Sequence, residues 1–329
     1  MEFIKNQKNG LELSRLGLGC GRMSNSTGAT DRIESIATIH AALDAGMSFI
    51  NTADFYGSGH NEMLIGEALK GYNRDKAFVS VKFGALVSPN GAMYGLDVRP
   101  FNIKNYLTYS LKRLNLDYID LYQPGRIDLG IPVDETIGAI ADMVKAGYVK
   151  HIGITQVDAD TLRKAHSVHP ISLVEAEYSL FNRSIEKDIL ATAKELGIGV
   201  LAFGALAHGM LSGTWTKDRV DDGYNSIIPI YSKENIAKNL SLVEALREIA
   251  AEKQITLSQL AIAWILSKDE GIIALTGARR VYQLQDSMKS LDVRLSESDV
   301  KKIEAAIPEN EIAGGSFPDM KFKNGIIVH

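Results

Sequence analysis

Short apolar runs rich in β-branched residues alternate with amphipathic stretches of helical period along almost the whole chain. The opening residues predict a β-hairpin, with Asn9-Gly10 as the turn between Phe3-Ile4 and Leu11-Glu12-Leu13. Eight further strands are predicted near Ser14–Leu18, Met47–Ala53, Ala77–Phe83, Tyr118–Gln123, Lys150–Thr155, Leu173–Tyr178, Gly199–Phe203 and Gly271–Leu275. Between them, helical patterns run over Arg32–Asp44, Asn61–Lys70, Asn102–Leu114, Thr136–Lys145, Thr161–Ser167 and Ile185–Leu196. Gly46, Gly71, Gly147 and Gly197 follow four of these, where a left-handed helix cap belongs. Ser296, Glu297 and Ser298 offer start signals ahead of a last helix over Asp299–Ala306.

Strand-helix alternation with no Pro/Gly/Ser-rich linker predicts one domain over residues 1–329. The fold class is α/β, a (β/α)8 TIM barrel with an N-terminal β-hairpin and long loops at the C-terminal mouth. The competing open, doubly wound sheet would, in its dinucleotide-binding version, carry G-x-G-x-x-G after the first strand, and none is there. Two segments break the repeat and are candidate lids over the mouth: Ser212–Ser232, polar and helix-poor, and Pro308–His329.

Composition narrows the class. Hydrophobic residues at 45 % and charged residues at 23 % suit a globular protein with a large core. A net charge of −4 leaves no basic footprint for nucleic acid. Cys20 is the only cysteine, which excludes an intrachain disulfide and suits a reducing compartment. The N-terminal residues lack the apolar core of a signal peptide, and no run approaches the roughly 20 apolar residues of a membrane span. A cytoplasmic protein is expected, with a small-molecule partner and neither nucleic acid nor membrane; the oligomeric state is left open. No histidine–cysteine cluster has metal spacing, so no metal is expected.

Two stretches carry the candidate chemistry, Asn51-Thr-Ala-Asp-Phe-Tyr56-Gly57 and Val79-Ser-Val-Lys82-Phe-Gly84. Each reads as a strand running into a glycine-containing turn, with Tyr56 or Lys82 at or just past the strand's C-terminal end. An ammonium beside a phenol favours the phenolate and makes the tyrosine a better acid. Such a pair suits protonation of a carbonyl oxygen while hydride arrives at carbon.

Phe49-Ile-Asn-Thr-Ala-Asp-Phe-Tyr-Gly-Ser-Gly-His-Asn-Glu62 resembles the aldo-keto reductases. The likeness continues through Val81–Gly84, Leu116–Tyr122, Gly147–Gly153, Glu177–Leu180 and Gly277–Arg280. It implies an eight-stranded barrel that binds a nicotinamide cofactor without a Rossmann domain. The family's catalytic set is Asp, Tyr, Lys and His. Tyr56 matches its acid/base and Lys82 its modulating lysine, whereas Asn51 stands at the aspartate position and Gly125 at the histidine position. Asn51 then becomes a neutral partner for Lys82, which loses the anion that holds it charged. Gly125 removes a donor to the substrate carbonyl and is expected to open space above the chemistry. Asp54, His60 and His208 are weaker candidates to fill these vacancies, and Gln123 and Arg126 flank the second, with a surface pair to Asp128 the alternative for Arg126.

For the cofactor the resemblance implies NADPH (NADP+). Thr155 and Gln156 match the pair that holds the nicotinamide carboxamide, Glu175 a third contact usually made by glutamine, and Phe203 the ring stacked on the nicotinamide. The loop Gly204-Ala205-Leu206-Ala-His-Gly209-Met-Leu-Ser-Gly213 would meet the pyrophosphate. Beyond Gly277, Arg279 and Arg280 suit a 2′-phosphate at a helix start, and Gln283 and Ser287 would face the adenine. Trp215, Tyr224 and Tyr231 are candidates to line an apolar substrate pocket; Trp264 reads as core. Three functions stay open: an NADPH-dependent oxidoreductase acting on a carbonyl or alcohol, hydride chemistry on a sugar or other bulky substrate fitted to the altered site, or an NADP(H)-binding sensor with little turnover.

Overall fold

Parallel strands need crossover connections, and the alternation of strand and helix supplies them. In the computed structural model, residues 1–6, 10–24, 32–216, 227–315 and 320–328 are described. The hairpin is β1 (Phe3–Asn6) and β2 (Leu11–Ser14), antiparallel with Ile4 opposite Leu13; its predicted turn residue Asn9 lies outside the described residues. The barrel begins with β3 (Leu16–Gly19), β4 (Phe49–Ala53) and β5 (Phe78–Phe83). A second hairpin follows, β6 (Ala85–Val87) and β7 (Met93–Leu96). The barrel resumes with β8 (Ile119–Pro124), β9 (Val149–Thr155), β10 (Ile171–Glu177), β11 (Gly199–Phe203) and β12 (Ile272–Gly277). Strand β12 closes onto β3 with Ala274 opposite Leu16, so every barrel strand has two parallel neighbours. Near the C-terminus, β13 (Lys321–Lys323) and β14 (Ile326–Val328) join β7 and β6 in a separate sheet.

The helices are α1 (Arg32–Asp44), α2 (His60–Ala68), α3 (Pro100–Leu114), α4 (Val133–Lys145), α5 (Ala159–Val168), α6 (Ile189–Leu196), α7 (Ile236–Glu252), α8 (Leu257–Lys268), α9 (Val281–Met288) and α10 (Glu297–Ala306). Their ends follow local chemistry. Asp158, Thr256 and Ser296 cap α5, α8 and α10 by accepting from backbone N–H groups of the first turn. Pro100 starts α3, where its missing N–H leaves nothing unpaired. The four glycines read as terminators all have positive φ, from 72° to 83°. Helix α7 was not predicted; its apolar residues Leu240, Val243, Leu246, Ile249 and Ala250 do follow helical spacing. Helix α8 is buried nearly all round, so it shows no amphipathic period.

Side chains two apart on a strand share a face, so each barrel strand sends one set inward and one outward. The inward set forms a cluster of Phe49, Leu121, Leu173, Leu201, Ile273 and Leu275, joined by Ile4, Leu11 and Leu13 of the β1–β2 hairpin. The hairpin therefore plugs the barrel's N-terminal end. The outward set meets the helices in a second, larger core. At the other end lies the candidate lid Pro308–His329; in its described part Glu309–Glu311 forms a short 3-10 turn and Lys321–Val328 forms the β13–β14 hairpin. That hairpin is pinned by Asp128, whose buried carboxylate accepts from the backbone N–H groups of Gly130, Asn324 and Gly325. Asp128 is thus not the surface group expected as a partner for Arg126.

Close approach of α2 to α3 makes one glycine obligatory. A Cβ on Gly66 would lie 2.5 Å from the backbone oxygen of Leu114, whereas one on Gly138 in α4 meets nothing within 4 Å. Gly66→Ala should lower stability by about 1–3 kcal/mol through overpacking. Gly138→Ala should raise it by up to about 1 kcal/mol through helix propensity. Paired thermal or urea melts check both signs; a stabilised Gly66→Ala would mean the helices can separate freely.

Candidate active site

The residues above the apolar plug are polar. Asn51, Ser80, Lys82, Gln123 and Glu175 are inward-facing positions of β4, β5, β8 and β10, and all five are buried. Register explains the grouping: Asn51 is opposite Ser80, and Lys82 is opposite Gln123. Glu175 reaches them from β10, two strands beyond β8 in the barrel order.

The contacts are closely specified. Lys82 Nζ donates to Asn51 Oδ1 at 2.6 Å and lies 3.0 Å from Glu175 Oε1. Asn51 Nδ2 donates to Glu175 Oε2 at 2.9 Å, and Gln123 Nε2 donates to the same oxygen at 2.5 Å. Burial alone would lower the Lys82 pKa, but Glu175 and then Tyr56 outweigh it and raise it. This corrects the expectation that Lys82 lacks an anion. Glu175, expected as a third carboxamide contact, accepts from Lys82, Asn51 and Gln123. Ser80 was missed and Gln123 was given no role; both stand two residues from other inward positions, a period-two signal that could have found them.

Tyr56 follows β4 after Asp54 and Phe55 and begins a tight turn in which Gly57, Ser58 and Gly59 all have positive φ. Lys82 Nζ lies 5.4 Å from its ring centroid. Gly21 lets that ring close down, because a Cβ there would be 2.9 Å from Tyr56 Cε2. The turn is tied to the barrel: Thr52 Oγ1 donates to Asn61 Oδ1, while Asn61 Nδ2 donates to Cys20 O and Ser24 Oγ. Behind it Glu62 is buried against Arg113, which joins α2 to α3.

The second vacancy is filled. A Cβ on Gly125 would meet Phe55 Cε1 at 3.2 Å and the backbone oxygen of Phe83 at 3.3 Å. The glycine opens no space above the chemistry, contrary to expectation; the Phe55 ring stands there, edge-on to Tyr56 at 5.1 Å between centroids. Neither histidine candidate replaces the missing donor. His60 is exposed with Nδ1 2.8 Å from Ser24 Oγ, and His208 Nε2 is 2.9 Å from buried Glu177 Oε1. Asp54 points Oδ2 toward Gly84 N rather than toward Lys82.

The cofactor candidates collect at the C-terminal ends of four consecutive strands, β9 to β12. Thr155 ends β9, with Oγ1 buried and unpartnered. Gln156 follows with φ +50° and Oε1 accepting from Glu177 N at 2.8 Å. Phe203 ends β11, half-buried. Gly204-Ala205-Leu206 leads into a run where Ala207, His208 and Gly209 have positive φ, an irregular backbone whose Ala207 and Gly209 N–H groups donate to Gly204 O and Leu206 O within the loop. Gly277 ends β12 with nothing within 4 Å of a Cβ position. Arg279 and Arg280 precede α9; the Arg279 N–H donates to Gln283 Oε1 and Arg280 lies 3.7 Å from Glu34. Ser287, one turn on from Gln283, is buried. A buried orphan oxygen, an open glycine and two guanidinium groups at a helix start fit a nicotinamide dinucleotide. Trp215 and Tyr231 pack on each other at 4.5 Å, and Tyr224 lies outside the described residues. Trp264 is fully buried, as expected. Among the described residues there is no cluster able to hold a metal ion and no helix long and apolar enough to cross a membrane.

The model of the aldo/keto reductase family matches residues 15–308. A probable aldo-keto reductase from Glycine max is 35 % identical over 318 residues, covering 95 % of this chain and 91 % of that protein. The structure of a glycerol dehydrogenase from Gluconobacter oxydans superposes with a TM-score of 0.84 at 30 % identity, over 94 % of this chain and 96 % of the other. An aldo-keto reductase from Bacillus halodurans shares the fold at 24 % identity, with a TM-score of 0.77 over 94 % and 97 % of the two chains.

Burial pushes the Asp54 carboxyl up to about 7, with Glu62 adding to the rise and Gly84 N–H and Arg113 opposing it. The folded protein therefore holds this proton more tightly than the unfolded chain does. Stability from this group is greatest below the unfolded value of about 4 and is lost as pH rises to the folded value. Relative to Asp54→Asn, the wild type should lose on the order of 1–3 kcal/mol between about pH 4 and about pH 8. Urea melts of both proteins across that range test it, and parallel stability profiles would remove the assignment.

Proposed function

The chain belongs to the aldo/keto reductase family, and on that premise we propose that it is a cytoplasmic NADPH-dependent oxidoreductase acting on a small-molecule carbonyl or alcohol. The observation that carries this reading is the placement of the Tyr56 phenol beside the buried Lys82 ammonium at the barrel's C-terminal mouth, where active sites of this fold lie. Asn51 orients Lys82 from the other side through its side-chain oxygen.

In the reduction direction, Tyr56 Oη holds a proton for the substrate oxygen and becomes a phenolate as it gives the proton up. Lys82 stabilises that developing charge from a site where little water screens it. The same groups run the reverse step by taking a proton from an alcohol. Phe55, over Gly125, offers no donor, so hydrogen bonding to the substrate oxygen falls to Tyr56. Thr155 and Gln156 would hold the carboxamide of the cofactor, Phe203 would stack on its nicotinamide, the Gly204–Gly209 loop would receive its pyrophosphate, and Gln283 and Ser287 would face its adenine. Bound NADPH supplies the hydride. Arg279 and Arg280 would take the 2′-phosphate in a charge-assisted contact.

Two experiments test this reading. Tyr56→Phe removes the proton donor and keeps the ring, so carbonyl reduction should fall by about 10²–10⁴-fold with cofactor affinity nearly unchanged. A panel of aldehydes, ketones and sugars assayed with wild type and variant decides it; equal turnover would mean that another group protonates the substrate. Fluorescence titration should show NADPH binding at least about tenfold more tightly than NADH, from a contact worth roughly 1.5–3 kcal/mol. Replacing Arg279 and Arg280 with alanine should bring the two affinities together, and equal affinities in the wild type would sink the assignment.

A further inference from the structure

We propose that Glu175 is the counter-ion of Lys82, the carboxylate and the amide having changed places between positions 51 and 175. The proposal rests on the functional reading of Tyr56 and Lys82 given above. In the family pattern an aspartate at position 51 pairs with the lysine and a glutamine at 175 serves the cofactor; here position 51 is an amide and position 175 an acid. Between them, positions 51 and 175 keep one carboxylate and one amide, with the strands that carry them exchanged.

A buried ammonium needs an anion, because an isolated charge in a low dielectric is far costlier than a paired one. Lys82 is 5 % exposed and Glu175 2 %. The other acids near the mouth have different partners. Asp54 faces Gly84 N–H, Glu62 pairs with Arg113, and Glu177 faces His208 and Asn182. Glu175 receives donors on both oxygens, from Lys82, Asn51 and Gln123, which is the environment of an ionised acid. The amide of Asn51 can satisfy this cluster in one orientation, oxygen toward Lys82 and nitrogen toward Glu175.

Reach is the second argument. An acid on β10 must cross the lumen to meet a lysine on β5, and glutamate is one methylene longer than aspartate. Of the two strands between them, β9 clears the way: a Cβ on its Gly153 would fall 2.6 Å from Gln123 Oε1, so glycine there lets Gln123, on β8, lie across toward Glu175. Glu175 acts as a positioning residue. It keeps Lys82 charged and aimed at Tyr56, and it leaves the nicotinamide carboxamide to Thr155 and Gln156.

The test follows Lys82 directly and does not depend on turnover. In full-length protein without cofactor, the lysine Nζ titration is read by NMR, with the Lys82 signal assigned by its loss in Lys82→Met. In Glu175→Gln, burial dominates and the Lys82 titration should move down by about one unit or more. Reduction should fall by about tenfold or more, its alkaline limb moving to lower pH, with NADPH affinity changed by less than about threefold. The double variant Asn51→Asp with Glu175→Gln restores one carboxylate beside the lysine and should recover both the titration and the alkaline limb. An unmoved titration in Glu175→Gln overturns the proposal, as does a double variant that fails to fold or to recover. If Glu175→Gln itself does not fold, the double variant alone decides. If the wild type reduces no carbonyl while the titration shifts and is rescued, the counter-ion stands and the functional reading falls.

Discussion

A lysine buried inside a barrel cannot stand without an anion, and the Lys82–Glu175 pair is the constraint to which the upper half of the lumen is built. Four strands contribute to the cluster, and two of its members are amides whose orientation is fixed by the charges they join. Losing either charge would leave the other uncompensated in low dielectric, a change that typically costs about 3–5 kcal/mol. The apolar plug below and the polar cluster above divide the lumen into layers. Glycines at 17 and 199 serve the lower layer, where a Cβ would press on Phe49 or Leu173, and Gly153 serves the upper one.

Around that cluster the mouth is held by a few local devices. Tyr56 is pressed onto Gly21 and held by a left-handed turn, while the Thr52–Asn61–Cys20 hydrogen bonds fix the loop that follows. Asp128, in the loop after β8, holds backbone N–H groups of the β13–β14 hairpin, and that hairpin braces β7 through Ile326 beside Gly95. The loop after β8 is thus tied to residues nearly 200 positions away in the chain. Phe55 packs over Gly125, so the wall of the site there is apolar.

The barrel was legible because its signals are local: β-branched runs, helical periods and glycine stops each fit in a window of about a dozen residues. The β6–β7 and β13–β14 hairpins were not, because three- and four-residue strands carry almost no period and their pairing is long-range. Helix α8 hid for a related reason, since an all-apolar stretch reads alike as buried helix or strand. At the site, Tyr56 and Lys82 could be read as residues at or near strand ends. The role of Glu175 could not, because period two says which residues face inward and not which of them meet across the lumen. The same limit applies to Gly125: a sequence shows the missing side chain but not the Phe55 ring that takes its volume.

Cys20 gives the molecule an experimental property unrelated to its chemistry. The thiol is wholly buried beneath the Tyr56 loop, and burial pushes it up to about 12 despite the opposing pull of Lys82, so its thiolate is scarce at neutral pH. With no other cysteine in the chain, the folded protein is a silent background for thiol-directed dyes and spin labels. A single cysteine introduced on the exposed β6–β7 turn would carry the only reactive sulfur, and distances from that rim could be measured without removing a native residue from the core.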